Sequence, residues 1–323
     1  MRIQDLAVVI TGASSGIGRA TALAFADRGC AVVLAARGAD ALAAVARECE
    51  SRGGRATAVP TDVGDAESVR ELARVAVERH GRIDVWVNNA AVTVFGAFED
   101  IPLEDFRRVL DVNVMGYVHG ARAALPVMRE QGRGVLVNVS SIVGAVTQPY
   151  AHAYTMSKFA VRALGGSLRQ ELRLAHGRGV AVCTVLPATM DTPLFQHSAN
   201  YTGREVVAMP PVYAPERVAR AIVRLVRFPR REVVVGPMGR GLILQSKFAP
   251  GLVERLMAGQ VDRAHLSRRT AAPPASGTLH RPAAGRGSVV GGWHGARRTA
   301  VRRAASAAAL LAGAAVATRR WWR

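Results

Sequence analysis

Tyr154 and Lys158 stand four residues apart in Tyr154-Thr155-Met156-Ser157-Lys158, a spacing that puts both side chains on one face of a helix. A free phenol titrates near pH ~10, too high for a base at neutrality. An ammonium beside it favours the phenolate and lowers that value, so the pair predicts a proton donor and acceptor. The choice of cation supports this: the chain uses arginine almost throughout and has only two lysines, Lys158 and Lys247. A compact ammonium whose pKa responds to its surroundings suits the task better than a guanidinium. Ser141 precedes Tyr154 by thirteen residues, just after the apolar run 134–139. A hydroxyl at the carboxyl edge of a parallel sheet lies where ligands of such sheets bind, and it can donate to a carbonyl oxygen on which charge develops. Ser140 competes for the same role.

A second constellation opens the chain. Thr11-Gly12-Ala13-Ser14-Ser15-Gly16-Ile17-Gly18 follows a short β-branched run and precedes a helical pattern. Glycines there allow a sharp turn and close approach to a pyrophosphate, while the helix N-terminus offers unpaired N–H groups to it. The end of the second strand then selects the dinucleotide: an acid grips a ribose 2′-hydroxyl, a base suits a 2′-phosphate. The chain reads Leu34-Ala35-Ala36-Arg37, with no acid. Arg37 suits a charge-assisted contact to phosphate, so NADP(H) is the favoured coenzyme and NAD(H) the alternative.

The elements that must position these groups alternate. Runs at 7–11, 31–36, 56–60, 85–87, 134–139, 180–186 and 232–235 read as strands; 16–28, 40–52, 66–80, 103–130, 153–175 and 216–228 read as helices. Strands joined by helix-length crossovers make right-handed βαβ units and a parallel sheet, and near-continuous apolar strands fit burial on both faces. Residues 187–215 are polar, rich in Pro and Thr and aperiodic, as in a loop over an active site. A weakly amphipathic stretch spans 241–261, and from about His265 the chain is rich in Ala, Arg, Gly and Pro. The expected organisation is a catalytic domain over 1–260 and a linker and tail over 261–323.

Gly12, Gly16 and Gly18, Asn88-Asn89-Ala90-Ala91, Asn113, Ser141 and the Tyr154/Lys158 pair stand in the order and spacing of the short-chain dehydrogenase/reductase family. The resemblance covers roughly residues 6–235. It implies a Rossmann-like, doubly wound sheet of seven parallel strands in the order 3-2-1-4-5-6-7, with helices on both faces. It also implies interconversion of a carbonyl and an alcohol by hydride transfer, in a homodimer or homotetramer. Carried over residue by residue, Tyr154 resembles the general acid/base and Ser141 the carbonyl-polarising hydroxyl. Lys158 resembles the residue that lowers the tyrosine pKa and holds the nicotinamide ribose, and Asn113 the one that holds a water in the proton relay. Ser14, Ser15 and Ile17 belong to the glycine turn. Asp62 and Val63 resemble the adenine contact, and Asn89 and Ala90 the ribose wall. Pro187, Thr189 and Thr192 are similar to the segment over the nicotinamide, with Ala188 in place of the family's usual glycine. The substrate is expected to meet 92–98, 143–150 and 189–215. Val92, Val143, Tyr150, Leu194 and Phe195 make that pocket partly apolar, which suits a hydrophobic alcohol, ketone or lipid-like molecule.

Charge and cysteines bound the remaining readings. The net charge of +19 is concentrated late: residues 249–323 hold thirteen arginines against Glu254 and Asp262. A basic surface without a recognition motif is weak support for nucleic acid. Cys30, Cys49 and Cys183 have no paired metal or redox spacing, and the first strand begins by residue 7; together these point to a reducing cytoplasm. Near the end, the Ala-rich stretch 304–318 lies between Arg302-Arg303 and Arg319-Arg320-Trp321-Trp322-Arg323. Fifteen mildly apolar residues fall short of the ~20 that span a bilayer, but Arg and Trp flanks resemble interfacial anchors. Residues 302–323 are therefore read either as a solvated tail or as a peripheral membrane contact, the latter suiting a lipid-, retinol- or steroid-type dehydrogenase. The other alternative is a catalytically silent NADP-binding regulator.

Overall fold

The computed structural model describes residues 3–175 and 179–293. Its centre is a parallel sheet of seven strands: β1 (Ala7–Thr11), β2 (Ala31–Ala36), β3 (Arg55–Pro60), β4 (Val85–Asn88), β5 (Gly134–Val139), β6 (Val180–Pro187) and β7 (Glu232–Val235). They lie in the order 3-2-1-4-5-6-7, as expected. The helices are α1 (Gly16–Ala26), α2 (Ala39–Ser51), α3 (Ala66–His80), α4 (Leu103–Leu110), α5 (Gly116–Glu130), α6 (His152–Leu174), α7 (Glu216–Arg227), α8 (Pro237–Phe248) and α9 (Pro250–Ala264).

Alternation along the strands explains the two layers. Val8 and Ile10 of β1 face α1, α2 and α7, packing with Leu23, Phe25, Leu42, Val218 and Ile222. Val9 points the other way, into a core shared with Leu72 of α3, Leu125 and Met128 of α5 and Leu172 of α6. β1, β4 and β5 are buried along their whole length, whereas edge strand β3 alternates toward solvent. The apolar runs in the middle of the sheet follow from that double cover.

Local signals set the helix ends. Asp65 caps α3, its carboxylate accepting from the N–H groups of Glu67 and Ser68, and Gly81 closes the helix at φ +70°, a left-handed conformation that glycine adopts without penalty. The helix expected over 103–130 is broken by a π-helical turn, Asp111–Met115, between α4 and α5. The amphipathic stretch 241–261 is two helices, α8 and α9, separated at Ala249-Pro250.

The expected boundary at 260/261 falls inside α9. Beyond it, strand Leu266–Ala271 pairs antiparallel with Arg204–Val206, and the chain stays on the body to Trp293. Arg204 explains why residues 261–293 do not trail as a linker: its guanidinium holds the carbonyls of Asp262, Leu266 and Ser267 and the Asp262 carboxylate. The remaining expected tail, including 302–323, lies outside the described residues. Among the described residues, no helix is long and apolar enough to cross a membrane. Cys30, Cys49 and Cys183 are free and buried.

Candidate active site

The carboxyl ends of β1, β4, β5 and β6 converge on one cavity of about 280 Å³. At its base is the glycine turn. Gly12 has φ +65°, and a Cβ there would stand 2.8 Å from the Ala90 Cα; a Cβ on Gly18 would fall 2.1 Å from the Gly12 carbonyl oxygen. Side chains larger than hydrogen are excluded at both positions. The loop after β4 is pinned to the turn: Asn89 Nδ2 donates to the carbonyls of Thr11 (2.9 Å) and Gly12 (3.3 Å), and Thr11 Oγ1 accepts from the N–H groups of Asn89 and Ala90. α1 begins at Gly16 without a side-chain cap; the Gly16 N–H donates to a backbone carbonyl, that of Ser288, while the positive end of the helix dipole and the N–H groups that follow suit an anion.

α6 carries the proton-handling pair to the same cavity. Lys158 is fully buried; its Nζ donates to the Val139 carbonyl (3.1 Å) and to the Tyr117 hydroxyl (3.4 Å), and lies 5.3 Å from the centre of the Tyr154 ring. Burial pushes the Lys158 ammonium down to about 7 and the Tyr154 phenol up to about 12, the latter opposed by a hydrogen bond with Ser141. Desolvation therefore dominates both groups and favours the neutral forms, against the lowering of Tyr154 read from spacing alone. The two candidate serines separate cleanly. Ser140 Oγ donates to the Lys158 carbonyl at 2.7 Å and holds α6 against β5, while the Ser141 hydroxyl meets Tyr154.

Asn113 sits in the π-helical turn behind the cavity wall. Its amide is engaged in two directions with the Val92 backbone, both contacts at 2.9 Å, and donates to Ser157 Oγ at 3.1 Å. The side chain positions the loop after β4 and α6 rather than reaching into the cavity.

The far end of the cavity holds Arg37, Gly38, Asp62 and Val63. Asp62 is ion-paired with Arg108 and accepts the Gly64 N–H, which hold its carboxyl below the usual range against the opposing effect of burial. Arg37 lines the wall, but its guanidinium donates to the carbonyls of Leu279 (2.8 Å) and Thr278 (2.5 Å). Pro187, Thr189 and Thr192 line the opposite end. The methyl of Ala188 finds room because residue 236 is glycine, where a Cβ would stand 2.8 Å from it.

A family model described as short chain dehydrogenase matches residues 6–202. The chain belongs to the short-chain dehydrogenase family. This short-chain dehydrogenase is 38% identical over 260 residues to an uncharacterized oxidoreductase of Bacillus subtilis, covering 79% of its own length and 72% of the relative's. It is 41% identical over 199 residues to the 1-deoxy-11-beta-hydroxypentalenate dehydrogenase of Streptomyces exfoliatus, covering 61% and 71% of the two chains. Among solved structures it resembles a short chain dehydrogenase/reductase of Burkholderia phymatum in complex with NAD. That match has a TM-score of 0.72 and 28% identity, and covers 78% of this chain and 96% of that one. It also resembles an alcohol dehydrogenase of Thermococcus sibiricus complexed with 5-hydroxy-NADP, with a TM-score of 0.62 and 30% identity, covering 71% and 94%.

Four of the five expected substrate-pocket residues of this short-chain dehydrogenase, Val92, Val143, Leu194 and Phe195, line the cavity. Tyr150 does not; at φ +62° it packs beside Tyr154 and against Val146 in the neighbouring apolar clusters. Gln148 and Met209, inside the expected stretches 143–150 and 189–215, also line the cavity. Sequence reasoning missed His265, which lines it too, and Tyr117, whose hydroxyl donates to the Val139 carbonyl at 2.8 Å beside Lys158. Tyr117 follows Asn113 by four residues on the same helical face, a usable signal. His265 lies beyond the assumed domain boundary and carried no local signal.

Proposed function

We propose that this chain is an NADP(H)-preferring oxidoreductase that interconverts a partly apolar carbonyl compound and its alcohol. The observation that carries the proposal is the meeting of Tyr154, Ser141 and Lys158 on the cavity that also contains the glycine turn. The donor set suits a dinucleotide: α1 presents backbone N–H groups to a pyrophosphate, Asp62 and Val63 flank an adenine site, and Asn89 and Ala90 form a ribose wall. When bound, the nicotinamide supplies or accepts the hydride.

The protein's own groups do the rest. Tyr154 gives a proton to the substrate oxygen in reduction and takes it back in oxidation. Ser141 donates a hydrogen bond to the same oxygen, where negative charge builds in the transition state. Lys158, when protonated, stabilises the phenolate through a low-dielectric path. The apolar walls Val92, Val143, Leu194 and Phe195 exclude water from that region, which strengthens each of these interactions.

The coenzyme preference rests on the missing acid after β2 and on Arg37 at the cavity wall. A homo-oligomer is supported by the exposed apolar side chains Met115, Met156 and Phe159, carried on two elements that pack together, the π-helical turn and α6, since exposed apolar surface marks association sites. The deciding experiment measures oxidation of NADPH and NADH against a panel of aldehydes and ketones, with Tyr154→Phe as the control. Turnover by the parent chain and none by Tyr154→Phe, with coenzyme binding retained, is the expected result. Coenzyme binding without turnover across the panel would favour the regulatory alternative.

A further inference from the structure

The segment 278–293 runs along the open side of the dinucleotide cleft. It begins at the adenine end, where the carbonyls of Thr278 and Leu279 accept from Arg37, and Leu279 also accepts from Arg108 Nε at 3.1 Å. Opposite the glycine turn, Arg19 Nη1 donates to the carbonyls of Arg286 (3.0 Å) and Gly287 (2.8 Å), and the Ser288 carbonyl accepts the Gly16 N–H at 2.9 Å. It ends over the nicotinamide end: the Asp191 carboxylate accepts from the N–H groups of Gly291 and Trp293, and the Trp293 indole donates to the Thr192 carbonyl at 3.1 Å.

The segment does not fill the cleft. Pro282, Ala283, Gly285 and Gly287 line the same cavity as Ser15, Ile17 and Asp62, from the opposite side. Its ends are held firmly, with Leu279 fully buried, whereas residues 284–288 are exposed. A stretch held by hydrogen bonds at Arg286, Gly287 and Ser288 but with few buried contacts opens locally at low cost.

We propose that residues 278–288 form the second wall of the coenzyme site, so that the dinucleotide lies between this segment and the glycine turn and exchanges only when the segment lifts. The proposal rests on the oxidoreductase reading above and assigns coenzyme contacts to a part of the chain outside the region matched by the family model. Two phosphate-recognition points, the N-terminus of α1 and Arg37, are each tied to the segment. Closure and coenzyme binding therefore act on the same groups.

The test uses the full chain, NADPH and NADH, and limited trypsin digestion read by mass at the Arg286–Gly287 bond. Saturating NADPH is expected to slow that cleavage by about tenfold, the effect of one added charge-assisted hydrogen bond on local opening. In Gly287→Val, a Cβ would stand 2.4 Å from the Ser14 carbonyl oxygen at a φ of +63°, so the segment is displaced. The NADPH dissociation rate, followed by nicotinamide fluorescence, then rises by about tenfold and the protection disappears. Arg19→Gln, which removes two anchors without a clash, shifts both readouts in the same direction. Coenzyme binding with unchanged or faster cleavage would overturn the wall, as would parental dissociation rates in both variants, and either result leaves the oxidoreductase reading intact. If neither coenzyme binds the parent chain, that reading falls and the wall with it.

Discussion

Replacing Lys158 with methionine removes the cation beside Tyr154 while keeping much of the side-chain volume. Nζ stands 5.3 Å from the centre of the Tyr154 ring, and both groups are screened from solvent. At an effective dielectric of about 20, unit charges at that separation interact by about 3 kcal/mol, or roughly 2 pH units of the phenol's pKa. Burial pushes Tyr154 up to about 12, opposed by the Ser141 hydrogen bond; an ammonium at Lys158 pulls the phenol back down, and burial leaves Lys158 charged only below about 7. Alcohol oxidation requires that phenolate, so kcat/KM rises with pH up to the apparent pKa and then levels off. Lys158→Met is therefore expected to lower the oxidation rate by about 100-fold below about pH 7, where the parent Lys158 is charged, with the loss shrinking above it. The assay is the kcat/KM profile for oxidation between about pH 6 and 11, with circular dichroism confirming the fold. A loss that is uniform across the range would show that Lys158 acts by holding position and not by its charge.

The same substitution has the opposite effect on stability. The folded chain holds Lys158 near 7 against an ordinary value of 10.5, so between those values the unfolded chain binds a proton that the native state rejects. Parental stability therefore rises as pH climbs through that window, and Lys158→Met unfolds at a higher temperature near pH 7, with the gap closing toward pH 10.5. Asn113→Ala leaves the buried backbone of Val92 without its partner and should cost about 2–4 kcal/mol in urea unfolding; a loss under 0.5 kcal/mol would mean the loop is held elsewhere. Arg37→Ser should reduce kcat/KM with NADPH by about tenfold to 100-fold relative to NADH. Equal losses with both coenzymes would leave Arg37 as an anchor for Thr278 and Leu279 alone. Phe159→Arg places a charge on the exposed face of α6 and should give a monomer by light scattering; an unchanged mass would move the association surface elsewhere.

The sheet was legible because each of its strands is a short apolar run bounded by turn residues, and the helical crossovers between them permit little but a parallel arrangement. Gly12, Gly18 and Asn89 were legible because their roles are local: a tight turn and the link from β4 to that turn. What the sequence concealed depends on contacts far apart along the chain. Desolvation of Lys158 arises from its seat against Tyr117 and β5, and Tyr154 packs against the cluster of Phe95, Val206 and Leu266; the four-residue spacing reveals neither. Residues 261–293 looked like a linker because composition carries no record of the carbonyls that Arg19, Arg37 and Arg204 engage. The hydrogen bond from Ser140 to the α6 backbone is another contact of this kind.

The π-helical turn at Asp111–Met115 fixes the phase between α4 and α5. Each residue of a regular helix advances the side-chain direction by about 100°. Removing a single residue here to restore regular pitch would swing Asn113 away from Val92, or else carry Tyr117 off Val139. The wide turn therefore makes this stretch intolerant of length change: substitutions on its outer surface are cheap, whereas a one-codon deletion would misalign two helices at once.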